Sequence, residues 1–411
     1  MMPGNSGVKC VHFSRGGKMK NVMLLLSILL LITPLQAVEE GENGHYRSYK
    51  LAGLPNLNYN SDDGFGYGAR LDYFRYAEGG YSPYFYLVDV QLFATTGGKR
   101  EFWIFFDSPF VLKNDQRLTA EVRYAKFNNA PYFGLGRTSD FIENLTDEDQ
   151  PEFINEDYYT FNRTRTSVRL DYQKKWRQAK ILAGFNLNYT SIELNDGPTL
   201  LALHSDLVPV EDEFTNAVRL GIIYDSRDFE PAPERGIWSE ALIECFDKII
   251  GSDYTFSRIT LTHRHYYSLL KNVVFAQRFI YSNARGDFPF YERQFMSSSF
   301  RIEEAGGGAK SLRGVLKNRI IGREWLLVNS EFRYKLYSFR ALKQDFDFSL
   351  SAFFDFGGAW EENETKSGND LMAGQGGGLH VAWNKNFILS IDAAQGDEVG
   401  FGLYIGLGYL Y

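Results

Sequence analysis

Residues 305–316 read AGGGAKSLRGVL, a stretch that carries one guanidinium, Arg313, on a glycine-rich tether. Each glycine in a helix interior costs about 1 kcal/mol relative to alanine, so the tether is no helix, and it is too polar for a core strand. A second charged group, Asp225, Arg227 and Asp228, runs into Pro231 and Pro233 before Gly236. Proline cannot donate a ladder hydrogen bond, so this motif reads first as a turn that stops one strand, with the next beginning at Gly236. His263 and His265 stand two apart in LTHRHYY, on the side of Ile259 and Leu261, which suggests a lipid interface near a strand end. Ester hydrolysis there would need a serine beside them on an adjacent strand, and no motif nominates one. Loop 138–157 holds eight acidic residues (Asp140, Glu143, Asp147, Glu148, Asp149, Glu152, Glu156, Asp157) and no basic ones. It lacks the spacing of a metal loop and reads as a solvated surface. The residues nominate no catalytic group, cofactor or metal site, and the chain is not expected to be an enzyme.

The elements that must position these groups show in a period-two alternation. From Trp325 to Leu336 one face carries Leu326, Val328, Ser330, Phe332, Tyr334 and Leu336, while Leu327, Asn329, Glu331, Arg333 and Lys335 occupy the other. From Phe348 to Gly358 the apolar set is Phe348, Leu350, Ala352, Phe354 and Phe356, facing away from Ser349, Ser351 and Asp355. At the end of the chain Phe401, Leu403, Ile405, Leu407, Tyr409 and Tyr411 share one side, and Gly400, Gly402, Tyr404, Gly406 and Gly408 the other. About sixteen such segments follow, near 46–59, 64–76, 84–96, 100–108, 116–127, 157–174, 178–194, 215–227, 236–247, 254–269, 272–284, 323–337, 346–360, 371–383, 386–395 and 400–411. Short links (Lys175 to Arg177, Leu270 to Lys271, Asn384 to Lys385) alternate with long ones (128–156, 195–214, 285–322). That is the pattern of a membrane barrel with tight periplasmic turns and long outer loops, and an even strand count puts both termini in the periplasm.

A sheet facing lipid must close, because each unpaired backbone group in hydrocarbon costs several kcal/mol. A soluble sandwich is the alternative. Arginines Arg163, Arg165 and Arg169 recurring on one face of a single long strand favour the closed barrel, whose lumen would hold them. The fold class expected is therefore all-β, a transmembrane antiparallel β-barrel.

Composition agrees. Aromatics make up 16% of the chain, with 26 Tyr and 34 Phe, yet the only long apolar run is Val22 to Ile32, preceded by Lys18 and Lys20 and followed by Pro34 and Ala37. At about 11 residues it is shorter than the roughly 20 of a membrane helix and reads as a secretory signal within residues 1–37, with an upstream extension before Met19. Residues 38–411 are then the barrel domain. Of the 44 basic residues in the chain, Lys9, Arg15, Lys18 and Lys20 fall in the removed part, leaving 40 against 51 acidic. That balance argues against nucleic acid. Cys245 remains as a lone cysteine, so an exported chain does without an internal disulfide.

Four patches resemble the BamA/TamA family of outer-membrane assembly and translocation barrels (the bacterial surface antigen superfamily): GIIYDSRDFEPAPERG at 221–236, AGGGAKSLRG at 305–314, VNSEFRYKL at 328–336 and FFDFGGAW at 353–360. The C-terminal YIGLGYLY, with Gly406, Tyr409 and Tyr411, is similar to the signal that barrel assembly machinery reads. The resemblance spans the mature chain from LPNLNYNSDDGFGYGA at 54–69 onward. It implies that loop 285–322 folds into the lumen and that Arg313, followed by Gly314, meets Glu331 and Asp355, which the alternation places on the inward faces. Lysine could not reproduce the forked hydrogen bonds. The family carries an aromatic after the tip glycine where this chain has Val315. It also places POTRA domains before the barrel, whereas about ten residues separate Ala37 from the first strand here.

The resemblance implies a role in protein or lipid assembly or translocation at the bacterial outer membrane. The partners would be outer-membrane lipid, the assembly machinery during insertion, and a periplasmic partner or client protein. Pro55 is expected to interrupt the first strand and the last is glycine-rich, so the seam between them should pair weakly, and in the resembling family this seam is where clients enter. A passive solute pore gated by loop 285–322, and a structural surface protein acting through its outer loops, are the alternatives.

Overall fold

The computed structural model describes residues 49–61, 63–76, 84–112, 116–230, 232–300, 303–304, 306–341, 344–383 and 387–411. The signal segment 1–37, Pro231, Ala305 and the link Asn384 to Lys385 lie outside them.

Sixteen strands form one closed antiparallel barrel. They are β1 (Tyr49–Asn60), β2 (Gly64–Arg75), β3 (Tyr86–Thr95), β4 (Lys99–Leu112), β5 (Gln116–Pro131), β6 (Thr160–Trp176), β7 (Ala179–Leu194), β8 (Ala217–Asp225), β9 (Gly236–Phe246), β10 (Phe256–Leu270), β11 (Val273–Gly286), β12 (Glu324–Ala341), β13 (Gln344–Trp360), β14 (Met372–Trp383), β15 (Phe387–Gly396) and β16 (Gly402–Leu407). Each pairs with the next in sequence, and β16 returns to β1. The alternation does what its period dictates. On β12 and β13, Phe332, Tyr334, Leu336, Leu350 and Phe354 are exposed on the outer face, while Asn329, Glu331, Arg333 and Asp355 are buried in the lumen. At the periplasmic ends of β12 to β14 the rings of Tyr337, Phe339, Phe346 and Trp383 stack in a row, as an aromatic girdle requires.

Two expectations need correction. Pro55 does not interrupt β1, which pairs with β2 without a break from Tyr49↔Arg75 to Asn60↔Gly64. Proline is tolerated because β1 has a partner on its other side only at its last residues, so it is in effect an edge strand. The last strand stops at Leu407, and residues 408–411 leave the wall. Gly408 turns there with φ +83°, a left-handed conformation that favours glycine, and Tyr411 ends buried in the lumen, not on the oily outer side.

Outer loops fill the lumen and close its top. Met296, Leu312, Val315 and Ile320 from loop 287–323 pack with Trp325 and Leu327. Phe290 and Tyr291 pack with Tyr132, Phe161 and Leu201. Loop 132–159 lies over this plug, where the Gly136 amide donates to the Ile321 carbonyl at 2.8 Å and Arg137 pairs with Asp370 at 3.0 Å.

Candidate functional site in the lumen

Arg313 sits at the inner tip of loop 287–323 and is 1% exposed. Its Nε donates to Asp355 Oδ2 at 2.9 Å and its Nη2 to Oδ1 at 3.3 Å, while its backbone amide reaches Oδ2 at 3.2 Å. Nη1 donates to Glu331 Oε2 at 2.8 Å and to Asp392 Oδ2 at 3.1 Å. The guanidinium plane lies over the Phe353 ring, 3.4 Å from its centroid. Burial alone would disfavour the charge, but Asp355 and then Glu331 outweigh it, so the Arg313 pKa stands well above its ordinary value. The structure thus brings together all four residues expected at the tip, Arg313, Gly314, Glu331 and Asp355.

Sequence reading missed half of this site. Asp392 supplies a third carboxylate from β15, and it also accepts from His380 at 2.9 Å. Gly374 on β14 and Gly396 on β15 are a cross-strand pair that forms a hollow in the wall. A Cβ on Gly374 would overlap the Arg313 carbonyl oxygen, and one on Gly396 the Gly314 carbonyl oxygen. Tyr404 of β16 closes the tip, accepting from the Gly314 amide at 3.1 Å. The available signals were the inward position of Asp392 in FILSIDAAQG and the alternate glycines 374, 376 and 378 on one face of β14. Val315, which stands where the family carries an aromatic, is buried in the apolar plug.

The same wall holds the C-terminus. Glu331 Oε1 accepts from Arg333 Nε at 2.7 Å, and Arg333 Nη2 donates to the Tyr411 carbonyl at 2.9 Å while its guanidinium covers the Tyr409 ring. Arg278 donates to the carbonyls of Lys310 at 3.2 Å and Leu410 at 3.4 Å, and Tyr411 donates to Ala276 O at 3.0 Å. Glu331 therefore joins the loop tip to the tucked tail. Of the three C-terminal residues singled out, Gly406 stays in β16 and Tyr409 and Tyr411 turn inward.

A second clamp sits higher on the loop, where Lys317 pairs with Asp63 at 3.0 Å and Glu304 at 2.8 Å. Burial would raise the Glu304 pKa, but Lys317, Lys99 and Arg163 hold it well below 4.5. A depressed carboxyl stabilises above its ordinary pKa and loses that contribution as pH falls through its folded value. Channel recordings should therefore show an unchanged plug between pH 8 and 5 and rising open probability only in more acidic solution.

Asp225, Arg227, Asp228 and Gly236 build a turn. Arg227 forks onto Asp225 at 2.9 and 2.8 Å. Asp228 Oδ1 accepts from the amides of Phe229, Glu234 and Arg235 at 2.9 to 3.2 Å. Gly236 has φ +106°, and a Cβ there would meet the Ser226 carbonyl. The four lie apart from the lumen cluster.

Residues 88–409 match the Omp85 superfamily domain. The chain belongs to the Omp85 superfamily. This Omp85 barrel is similar in fold to BamA from Haemophilus ducreyi lacking POTRA domains 1-3, with TM-score 0.57 and 13% identity over 94% of this chain and 77% of that one. It is likewise similar to CdiB from Escherichia coli, with TM-score 0.58 and 10% identity over 95% of this chain and 70% of that one. No curated protein matches it in sequence. Membership places the chain in the bacterial outer membrane.

The seam of this Omp85 barrel is short. Among the described residues two pairs, Tyr59↔Ile405 and Asn60↔Tyr404, join β1 to β16, with Ser61 just past β1 donating its amide to the Leu403 carbonyl at 3.1 Å, and β1 from Tyr49 to Asn58 has no strand partner on that side. Beside the seam a lumen cavity of about 500 Å³ is lined by Asn58, Gln91, Trp103, Arg123, Asp392 and Tyr409, among others.

Proposed function

We propose that this Omp85 barrel acts in protein or lipid assembly or translocation at the outer membrane, receiving its client at the β1–β16 seam. The observation that carries the reading is the seam itself, with two residue pairs against twelve between β1 and β2. An edge strand offers a row of free backbone groups that another strand can pair with, and the inward tail of residues 408–411 keeps the partner strand from zipping shut. The cavity behind the seam gives a polar headgroup or chain a wet path. A periplasmic partner would deliver the client. The filled and capped lumen supports a plugged conduit over an open pore.

The test is a reversible lock. In a Cys245→Ser background, a disulfide between Tyr59→Cys and Ile405→Cys fixes the pair that already exists. Proteoliposomes carrying the oxidised protein are expected to lose, by tenfold or more, their acceleration of the insertion of an unfolded eight-stranded barrel or of the scrambling of a fluorescent phospholipid, and to regain it on reduction. Equal rates in the locked and reduced forms would defeat the seam reading.

A further inference from the structure

The outer face carries a polar band where hydrocarbon is expected. His263 and His265 lie in the middle of β10, not at its end. Along that strand Ile259 and Leu261 precede them and Tyr267 and Leu269 follow, all exposed on the same face. Register carries the band across four strands, with Ser239 of β9 opposite His263, Gln277 of β11 opposite His265, and Ser330 of β12 opposite Gln277. Neighbouring side chains on three of these strands, β9, β11 and β12, confirm the direction, since Trp238, Glu240, Arg278, Asn329 and Glu331 point into the lumen. Apolar residues bound the band on the other strands too, Phe279 and Tyr281 on one side and Phe332 and Tyr334 on the other.

Within the band Ser239 Oγ and His263 Nδ1 are 2.8 Å apart, and Gln277 donates to Ser330 Oγ at 3.3 Å. Among the described residues His265 makes ring contacts with His263 and Tyr267 but no hydrogen bond. No hydrogen bond among the described residues meets the second nitrogen of His263, either nitrogen of His265 or the carbonyl of Gln277, and they face acyl chains, where an unmet polar group is unfavourable. The Ser239–His263 pair is not built for hydrolysis, because no described carboxylate or amide oxygen orients the other ring nitrogen.

We propose that this band is the interface at which a second copy of the chain docks in the membrane, through the outer faces of β9 to β12. Serine, neutral histidine and glutamine each carry a donor and an acceptor. A patch of them is therefore complementary to itself after a half-turn, which is what a two-fold interface demands. A lipid tail could satisfy none of these groups. The flanking rows of Ile259, Leu261, Phe279 and Phe332 supply the apolar packing around the hydrogen-bonded centre, and the arrangement leaves the β1–β16 seam of both copies on the far wall, free to work.

The experiment uses the full mature protein in liposomes at low protein density. In a Cys245→Ser background, oxidation of a Gln277→Cys variant is expected to give mostly disulfide-linked dimer, while Leu92→Cys, outward on β3, stays monomeric. Analytical ultracentrifugation of the wild type in detergent should show a dimer. The Ser239→Ala, His263→Phe, His265→Phe, Gln277→Leu variant, checked for a folded barrel by circular dichroism, should dissociate at least tenfold more readily. A wild-type monomer, equal cross-linking at positions 277 and 92, or a dimer indifferent to removal of the band would each overturn the proposal.

Discussion

An Arg313→Ala variant is expected to open the lumen, raising the open probability in single-channel recordings by about a hundredfold or more. Among the described residues Arg313 is the only cation that the tip pairs with Asp355, Glu331 and Asp392, and removing it leaves three carboxylates facing one another with only Arg333 and the His380 ring beside them. Breaking a buried ion pair by deleting one partner costs roughly 3–5 kcal/mol, and the burial of all these groups means that water does little to soften it. The strand ladders do not involve the side chain, so the barrel itself should remain folded, and circular dichroism checks this. Arg313→Lys should fall between, since one ammonium cannot fork onto Asp355 and also reach Glu331. Conductance unchanged by Arg313→Ala would show that the apolar plug, not the ion cluster, holds the loop.

A second large effect is expected from a residue without charge. Gly374→Val should expel the tip although every ionic partner is intact, because the new Cβ would occupy the place of the Arg313 carbonyl oxygen. Its backbone is an ordinary strand that accepts a β-branched residue, so the wall survives and the loop must yield. Trypsin added to the outside should then cut at Lys310, Lys317 or Arg319, as it should in Arg313→Ala. Joining the two changes should add little to either alone, because both undo one docking event. Gly406→Ala is the control, with nothing within 4 Å of its Cβ.

These two predictions rest on different kinds of legibility. Period two alone assigned the faces of β12 and β13, because a one-residue slip would turn every side chain to the wrong solvent, and Glu331 and Asp355 followed from it. Asp392 obeyed the same rule but had no motif to draw attention to it. The hollow at Gly374 and Gly396 was illegible, since it exists only when two strands of fixed register meet a loop tip far earlier in the chain, at Arg313 and Gly314. The tucked C-terminus was misread for a related reason. Tyr409 and Tyr411 continue the alternation of β16, but β1 pairs with that strand only at Tyr59 and Asn60, so no β1 pairing holds residues 408–411 in the wall.

The amino-acid order alone determined that this chain makes a closed membrane barrel with polar residues inside. Two environments of opposite polarity on the two faces of a ribbon leave a period that survives without any knowledge of contacts. Tertiary structure alone decided what fills that barrel, where it closes weakly and which outer faces stay polar. Those features depend on register across strands and on loops crossing the lumen, and local periodicity carries no information about distance in space.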